Sequence, residues 1–150
     1  MNMGTTAKDF FTREEQEDIR QAIMNAELDT SGEIRVHIEN TFSGDVLDRA
    51  AFVFKQLGMN KTARRNGVLI YLAVKNRRFA IIGVIGINKV VPQNYWDDIK
   101  AKMLNHFREN HFTDGLIEAI GSTGMHLKKH FPHQIDDVNE LPDEISFGKD

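Results

Sequence analysis

Apolar and polar residues recur along the chain with two different periods, and these periods predict its helices and strands. Thr12 and Glu15 have the spacing of a capping box, so we expect a first helix from there to about Asp29. Residues 33–39 then alternate apolar and polar side chains, which predicts a half-buried strand. The buried face of the first helix is predicted to carry Ile19, Ala22, Ile23 and Ala26.

A second helix and a hairpin follow. Apolar residues at helical spacing predict a helix over residues 46–57, which Gly58 can end as the residue after the C-cap. Gly67–Val74 is almost continuously apolar, as expected for a central strand that is covered on both faces. Asn76 is expected in a short turn, and Arg78–Val84 is expected to be the third strand.

Two more helices are predicted in the second half of the chain. Pro92 suits the first turn of one of them, and Thr113 can cap the next. Gly121 and Gly124 disfavour the middle of that last helix, so we expect them where it packs closely on the sheet or on the third helix. The buried face of the third helix is predicted to carry Trp96, Ile99, Met103 and Phe107.

The predicted order is α-β-α-β-β-α-α. Its β-α-β unit requires a right-handed parallel crossover, and strands two and three form an antiparallel hairpin. The expected fold class is α/β, a three-layer α/β/α sandwich around a small mixed sheet. Residues 11–132 are predicted to form this domain, residues 1–10 a flexible N-terminus, and residues 133–150 an acidic, mobile tail.

Composition narrows the classes of function. The 150 residues are 41% hydrophobic and 27% charged, with a net charge of −3, so nothing favours a nucleic-acid partner. The chain has no cysteine, which excludes disulfides, thiolate metal sites and cysteine nucleophiles. No apolar leader and no membrane-spanning run is present, so we expect a cytoplasmic protein.

The predicted topology brings three strand ends to one edge of the sheet. Ser31 and Glu33 begin strand one, Asn66 precedes strand two, and Gly83 and Gly86 follow strand three. Carboxylate, amide and backbone oxygens are the ligands that Ca²⁺ and Mg²⁺ prefer, so this crevice is a candidate cation site. Ordinary turn chemistry at the ends of strands is the alternative interpretation.

Acidic residues also begin two of the predicted helices. Asp114 lies in the first turn of the last helix, and Asp97 and Asp98 lie in the first turn of the third. A carboxylate there favours the helix dipole, which is the simpler interpretation. These residues become candidate ligands if their helix starts point at the crevice.

The histidines carry a weaker pattern. His126 and His130 have the spacing of two metal ligands on one helix face, but lysines lie between them and Pro132 follows, which favours a solvated face. His37 is expected to point to the polar side of its strand.

Four segments carry a family resemblance: Ser31–Val36, Arg65–Ile70, Arg78–Ile87 and Phe112–Leu116. They resemble the TPM domain family, which includes a thylakoid lumen protein of photosystem repair and many bacterial proteins. The resemblance covers roughly residues 10–132. A soluble, single-domain bacterial member is the type that it implies.

The resemblance implies an α/β/α sandwich, binding of Ca²⁺ or Mg²⁺ and, for plant members, acid phosphatase activity. Carried over position by position, it implies a cation site formed by Glu33, Asn66, Gly83, Gly86 and Asp114. The first expectation for function is therefore a TPM domain that binds divalent cations, in a regulatory or scaffold role.

Two alternatives stay open. The first is a metal-dependent phosphatase of phosphomonoesters, in which Arg65 stabilises charge and Glu33 or Asp114 acts as ligand or base. Val84 stands where relatives often carry an acidic residue, which weakens this expectation. The second alternative is a protein-interaction module that uses the acidic tail or the sheet edge.

Overall fold

A computed structural model describes residues 7–28, 30–59, 67–83, 96–132 and 145–148 of the chain. Within these ranges the predicted order α-β-α-β-β-α-α is confirmed, with a short helix added before it and a short strand after it. The elements are α1 (Ala7–Phe10), α2 (Arg13–Ala26), β1 (Glu33–Glu39), α3 (Val46–Gln56), β2 (Gly67–Ala73), β3 (Arg78–Gly83), α4 (Asp97–Arg108), α5 (Phe112–His130) and β4 (Ser146–Phe147).

The predicted capping box at the start of α2 is confirmed. The Thr12 hydroxyl accepts the backbone N–H of Glu15 at 3.0 Å, and the Glu15 carboxylate accepts the backbone N–H of Thr12 at 2.9 Å. The predicted cap at Thr113 is wrong, because α5 begins at Phe112 and Thr113 is therefore already part of the helix. The Thr113 hydroxyl instead donates to the Glu15 carboxylate at 2.7 Å. The Glu15 side chain therefore links the start of α2 to the start of α5.

We expect Thr12→Ala to lower the free energy of unfolding by about 1 kcal/mol, because the N–H of Glu15 loses its acceptor. Urea denaturation measures this change. Thr12→Ser keeps the oxygen and serves as the control. An equal loss in both variants would contradict a role for the capping hydroxyl.

The sheet has the strand order β3-β2-β1-β4. β1 and β2 are parallel, with Glu33 opposite Gly67, and β2 and β3 form the predicted antiparallel hairpin, with Val68 opposite Gly83. All seven residues of β2 are buried, as its apolar run predicts. The parallel pairing of β4 with β1, which places Ser146 opposite His37, was not predicted.

Helices cover both faces of the sheet, which confirms the predicted sandwich. Glu39 and Phe79 pair with adjacent residues of β2, so they point to opposite faces. Arg49 of α3 binds the Glu39 carboxylate on one face. On the other face the ring of Phe107, from α4, contacts Phe79 at 5.4 Å between centroids, and α2 and α5 complete that layer.

The prediction that β1 is half-buried is wrong, since both of its faces are covered. Glu33, His37 and Glu39 are only 4%, 5% and 5% exposed, although they form the polar side of the strand. α3 lies over this side, and β4 lies beside it. Alternation alone cannot distinguish a solvent-facing side from one buried around paired charges.

The interior of α4 follows the sequence pattern, with Ile99, Met103 and Phe107 buried. Pro92 and Val84 lie outside the described residues. In the described part of the chain, no helix has both the length and the apolar character needed to cross a membrane. The cytoplasmic location stays a prediction.

Candidate functional site

The candidate site lies at the sheet edge where β1 and β2 begin and β3 ends. Strand register places Glu33 beside Gly67, and Gly67 is followed by Val68, the partner of Gly83. The predicted meeting of Glu33 and Gly83 at one edge is therefore confirmed. Asn66 directly precedes Gly67, but Asn66 and Gly86 lie outside the described residues.

The loop that leads into β1 is fixed to the end of α5. The backbone N–H of Ser31 donates to the carbonyl of Phe131 at 2.8 Å, and the Thr30 hydroxyl donates to the same oxygen at 2.5 Å. A Cβ on Gly32 would lie 2.8 Å from the Leu127 side chain, so this close approach requires glycine. These contacts hold the start of β1, and with it Glu33, in a defined place.

A second carboxylate reaches the same edge from α2. Glu27, at the end of that helix, accepts the backbone N–H of Ile34 at 2.7 Å. Ile34 directly follows Glu33 in the chain, so Glu27 and Glu33 both lie at the start of β1. The Glu27 carboxylate satisfies a strand N–H that β4, which pairs only farther along, does not reach.

The start of α4 also lies on this side of the molecule. The ring of Trp96, just before α4, contacts the ring of His126 at 6.5 Å between centroids. Burial lowers the pKa of His126, and the nearby charge of Asp98 opposes that shift. His126 belongs to the last part of α5, which ends beside Ser31, so the start of α4 lies close to the end of α5.

Asp114 lies at the other end of the molecule. It precedes Phe131 by 17 residues of chain, almost all of them in α5, which corresponds to roughly 25 Å of helix. There the Arg77 guanidinium, in the β2–β3 turn, lies 6.0 Å from the centre of the Phe112 ring. The structure therefore does not bring Asp114 to Glu33, because α5 runs from one sheet edge to the other.

Asp114 lines a different cleft, of ≈ 540 Å³, together with Glu14 and Asp18 of α2. Asp114 and Glu14 lie in the first turns of their helices, where a carboxylate favours the helix dipole. In the described ranges no three histidine, aspartate or glutamate side chains form a group that could hold a metal ion. His126 and His130, which have the spacing of two metal ligands, belong to no such group.

The sequence analysis did not predict a buried polar network that lies under α3. The Glu39 carboxylate accepts Arg49 Nε at 2.9 Å and Arg49 Nη2 at 2.5 Å, and it also accepts the Tyr71 hydroxyl. Burial raises the pKa of Glu39, but the hydrogen bonds from Arg49 and Tyr71 outweigh burial and hold it below its ordinary value. Burial and, after it, the hydrogen bond to the same carboxylate raise the pKa of Tyr71.

The sequence carries only a faint sign of this network. Four ionisable residues occupy alternate positions of β1, and such a pattern usually marks a solvent-facing side. The partners of Glu39 come from a helix and from another strand, ten and 32 residues away in the chain. Their meeting depends on the packing of α3 across the sheet.

A match to a known family gives the class of protein. The model of the TPM domain family matches residues 5–125, so the chain belongs to the TPM domain family. It is similar to the BA42 protein of the psychrophilic bacterium Bizionia argentinensis, known from an NMR structure. The two are 47% identical with a TM-score of 0.87, over 93% of this chain and 96% of that one.

Two more distant structures share the fold alone. The N-terminal domain of a protein from P. gingivalis is 19% identical, with a TM-score of 0.68 over 83% of this chain and 82% of that one. The N-terminal domain of a Corynebacterium glutamicum protein is 15% identical, with a TM-score of 0.62 over 78% and 74%. No curated protein matches the chain.

Proposed function

We propose that this TPM domain binds a divalent cation, Ca²⁺ or Mg²⁺, at the sheet edge that begins at Glu33. The observation that carries the proposal is the convergence of the starts of β1 and β2 with the end of β3, at a point where Glu33 places a carboxylate. Carboxylate and backbone carbonyl oxygens are the ligands that hard cations such as Ca²⁺ and Mg²⁺ prefer.

The proposed ligands follow from position. Glu33 supplies a carboxylate oxygen, Gly83 a backbone carbonyl, and Asn66 and Gly86 extend the same strand ends beyond the described residues. Asp98, at the start of α4, is a further candidate ligand, because α4 begins near the end of α5 that lies beside Ser31, whereas Asp114 lies at the opposite end of α5. When bound, the cation would neutralise the carboxylates and join the segments that meet there.

We expect Glu33→Gln to weaken Ca²⁺ or Mg²⁺ binding by about tenfold or more, which is about 1.4 kcal/mol, because the site loses one formal charge. Calorimetric titration of wild type and variant with each cation measures the loss. Asp114→Asn is the matched control, since it removes an equal charge at the far end of α5 and should leave the affinity unchanged.

Two results would contradict this assignment. If Asp114→Asn weakens binding and Glu33→Gln does not, the cation binds in the cleft at the start of α5. If neither variant changes the affinity, neither place is the site. Thermal melts in EDTA establish that Glu33→Gln is folded, so that lost affinity is not lost structure.

Metal-dependent phosphatase activity is the alternative function, which membership of the TPM domain family supports. Of the two carboxylates that the sequence offered as ligand or base, the separation of Asp114 from the start of β1 leaves Glu33 at the candidate site. This alternative requires turnover of p-nitrophenyl phosphate that depends on Mg²⁺ and is lost in Glu33→Gln. Cation binding without turnover from acid to neutral pH would argue against it.

A protein-interaction module is the remaining alternative. It requires capture of a protein partner that persists in EDTA and in Glu33→Gln. Loss of capture under either condition would mean that the interaction depends on the cation site.

A further inference from the structure

The last described segment of the chain, residues 145–148, lies beside β1 as the outermost strand of the sheet. Few contacts hold it there. Its strand β4 contains two residues, which pair with His37 and Ile38 of β1. The backbone N–H of Gly148 donates to the carbonyl of Ile38 at 2.8 Å. Short edge strands of this kind open locally at a much smaller free energy than central strands do.

A side-chain hydrogen bond joins this segment to a buried histidine. The Ser146 hydroxyl lies 2.7 Å from Nδ1 of His37 and 3.2 Å from the carbonyl of Val36. A carbonyl can only accept, so the hydroxyl donates to Val36 and accepts from the N–H of His37. We therefore assign the proton of the neutral imidazole to Nδ1, which leaves the lone pair on Nε2.

Nε2 is the unusual atom of this ring. His37 is 5% exposed, and within the described part of the chain Nε2 has no hydrogen-bond partner. Oε1 of Glu39 lies 3.6 Å from this unprotonated nitrogen. The covered ring thus has one nitrogen that is hydrogen-bonded to β4 and one that lies in the interior without a hydrogen-bond partner in the described part of the chain.

Charged and titratable groups approach the ring from several elements. Glu39 and Arg35 extend from β1 itself, Arg49 from α3, and the ring of Tyr71 on β2 stacks on the imidazole at 6.0 Å between centroids. Burial is the main reason that the pKa of His37 lies below its ordinary value; Glu39 acts against that shift, and both arginines reinforce it. At neutral pH the ring is therefore uncharged.

We propose that residues 145–148 form a pH-sensitive latch, which acid releases from β1 by protonating His37. β4 lies directly beside the ring, so docking of the latch and burial of the ring are coupled. A covered ring resists a proton, and an uncovered ring accepts one in water. By reciprocity, protonation must favour the released latch as strongly as the latch disfavours protonation.

The coupling between docking and protonation sets the pH range in which the latch is released. A released His37 titrates near the ordinary pKa of about 6.5, whereas the docked ring stays neutral to lower pH. Docking is therefore fully favoured above about pH 7.5 and weakens as pH falls through about 6.5. At about pH 5.5 the released form gains up to roughly a factor of ten, because about ten of every eleven exposed imidazoles are then protonated.

Gly148 offers a way to open the latch without acid. A Cβ at this position would lie 2.8 Å from Cγ of Glu39, so β4 can approach the buried network only because residue 148 is glycine. Gly148→Ala should therefore release the latch at every pH. Once the ring is uncovered, the pKa of His37 should rise toward its ordinary value.

The test is amide hydrogen exchange by NMR on the full chain, corrected for the intrinsic effect of pH. We expect protection of the Gly148 amide to fall by up to about tenfold between about pH 7.5 and pH 5.5. Protection of the Ile70 amide, in the central strand, should stay constant. In His37→Asn, whose side-chain amide keeps a donor near the position of Nδ1 but does not titrate in this range, Gly148 protection should be independent of pH.

Three results would overturn the proposal. They are constant Gly148 protection in the wild type, an equal fall in His37→Asn, and simultaneous loss at Ile70, which would mean global unfolding. If His37→Asn does not fold, the NMR titration of His37 in Gly148→Ala takes its place. A His37 pKa that is unchanged from wild type in that variant would also overturn the latch.

Discussion

Arg49→Met is expected to lower the free energy of unfolding by about 2–3 kcal/mol at neutral pH, one of the two largest single effects that we predict. The variant leaves the Glu39 carboxylate buried without its bidentate partner. Breaking a fully buried pair by removing one member costs roughly 3–5 kcal/mol, and the 35% exposure of the Arg49 side chain places this pair below that range. Loss of the cation–π contact with Phe52 adds a smaller part.

An exposed ion pair in the same chain provides the matched control. Arg20 and Glu17 lie 3.1 Å apart on α2, and both side chains are well exposed. Arg20→Met should therefore change stability by no more than about 0.5 kcal/mol. Urea denaturation of both variants at neutral pH makes the comparison, and equal losses would show that burial does not govern the Glu39 pair.

Acid provides a second check on the same pair. The pKa of Glu39 is depressed in the folded protein, so its contribution is present above the ordinary carboxyl pKa of about 4.3. That contribution is lost as pH falls through the folded value. The difference between wild type and Arg49→Met should therefore shrink below about pH 4. A difference that does not change with pH would assign the loss to packing instead of charge.

Gly124→Ala is expected to destabilise the protein by about 1–3 kcal/mol, even though alanine favours helices. A Cβ at this position would lie 2.7 Å from both the Cβ and the backbone oxygen of Ala26, at the end of α2. Backbone cannot move aside as a flexible side chain can, so α2 and α5 must separate. Thermal or urea denaturation measures the loss.

Gly121→Ala is the control from the same helix. Nothing in the described part of the chain lies within 4 Å of a Cβ built there, so the gain in helix propensity, up to about 1 kcal/mol, should appear alone. Opposite signs at the two glycines are the expected result. A stabilising Gly124→Ala would mean that the two helices do not meet as closely as the structure places them.

The two glycines also show that the sequence can predict close packing without predicting the neighbour. Their position in a helix indicated close packing, with the sheet or the third helix as the expected neighbour. Gly124 does pack closely, but on α2, and Gly121 faces open space. Helical period gives the face on which a residue lies, whereas the neighbour on that face depends on how helices distant in sequence are arranged.

Only part of the candidate site could be predicted from the sequence. Register follows from alternation and from the hairpin, so the meeting of Glu33 with Gly83 could be predicted before any coordinates. The place of Asp114 could not, because it depends on the direction in which a 19-residue helix crosses the sheet. The same direction, with α4 antiparallel to it, places the start of α4, and not that of α5, near the end of α5.

By itself, the sequence determined the order of the elements, the hairpin, the parallel crossover and the family, because local periodicity and turn chemistry act over a few residues. Only the tertiary structure decided which polar residues are buried. Arg49 and Tyr71 meet Glu39 under α3, and Ser146 meets His37 across 109 positions of chain. Such contacts form where packing removes water, and no local pattern encodes which distant partner will be there to replace it.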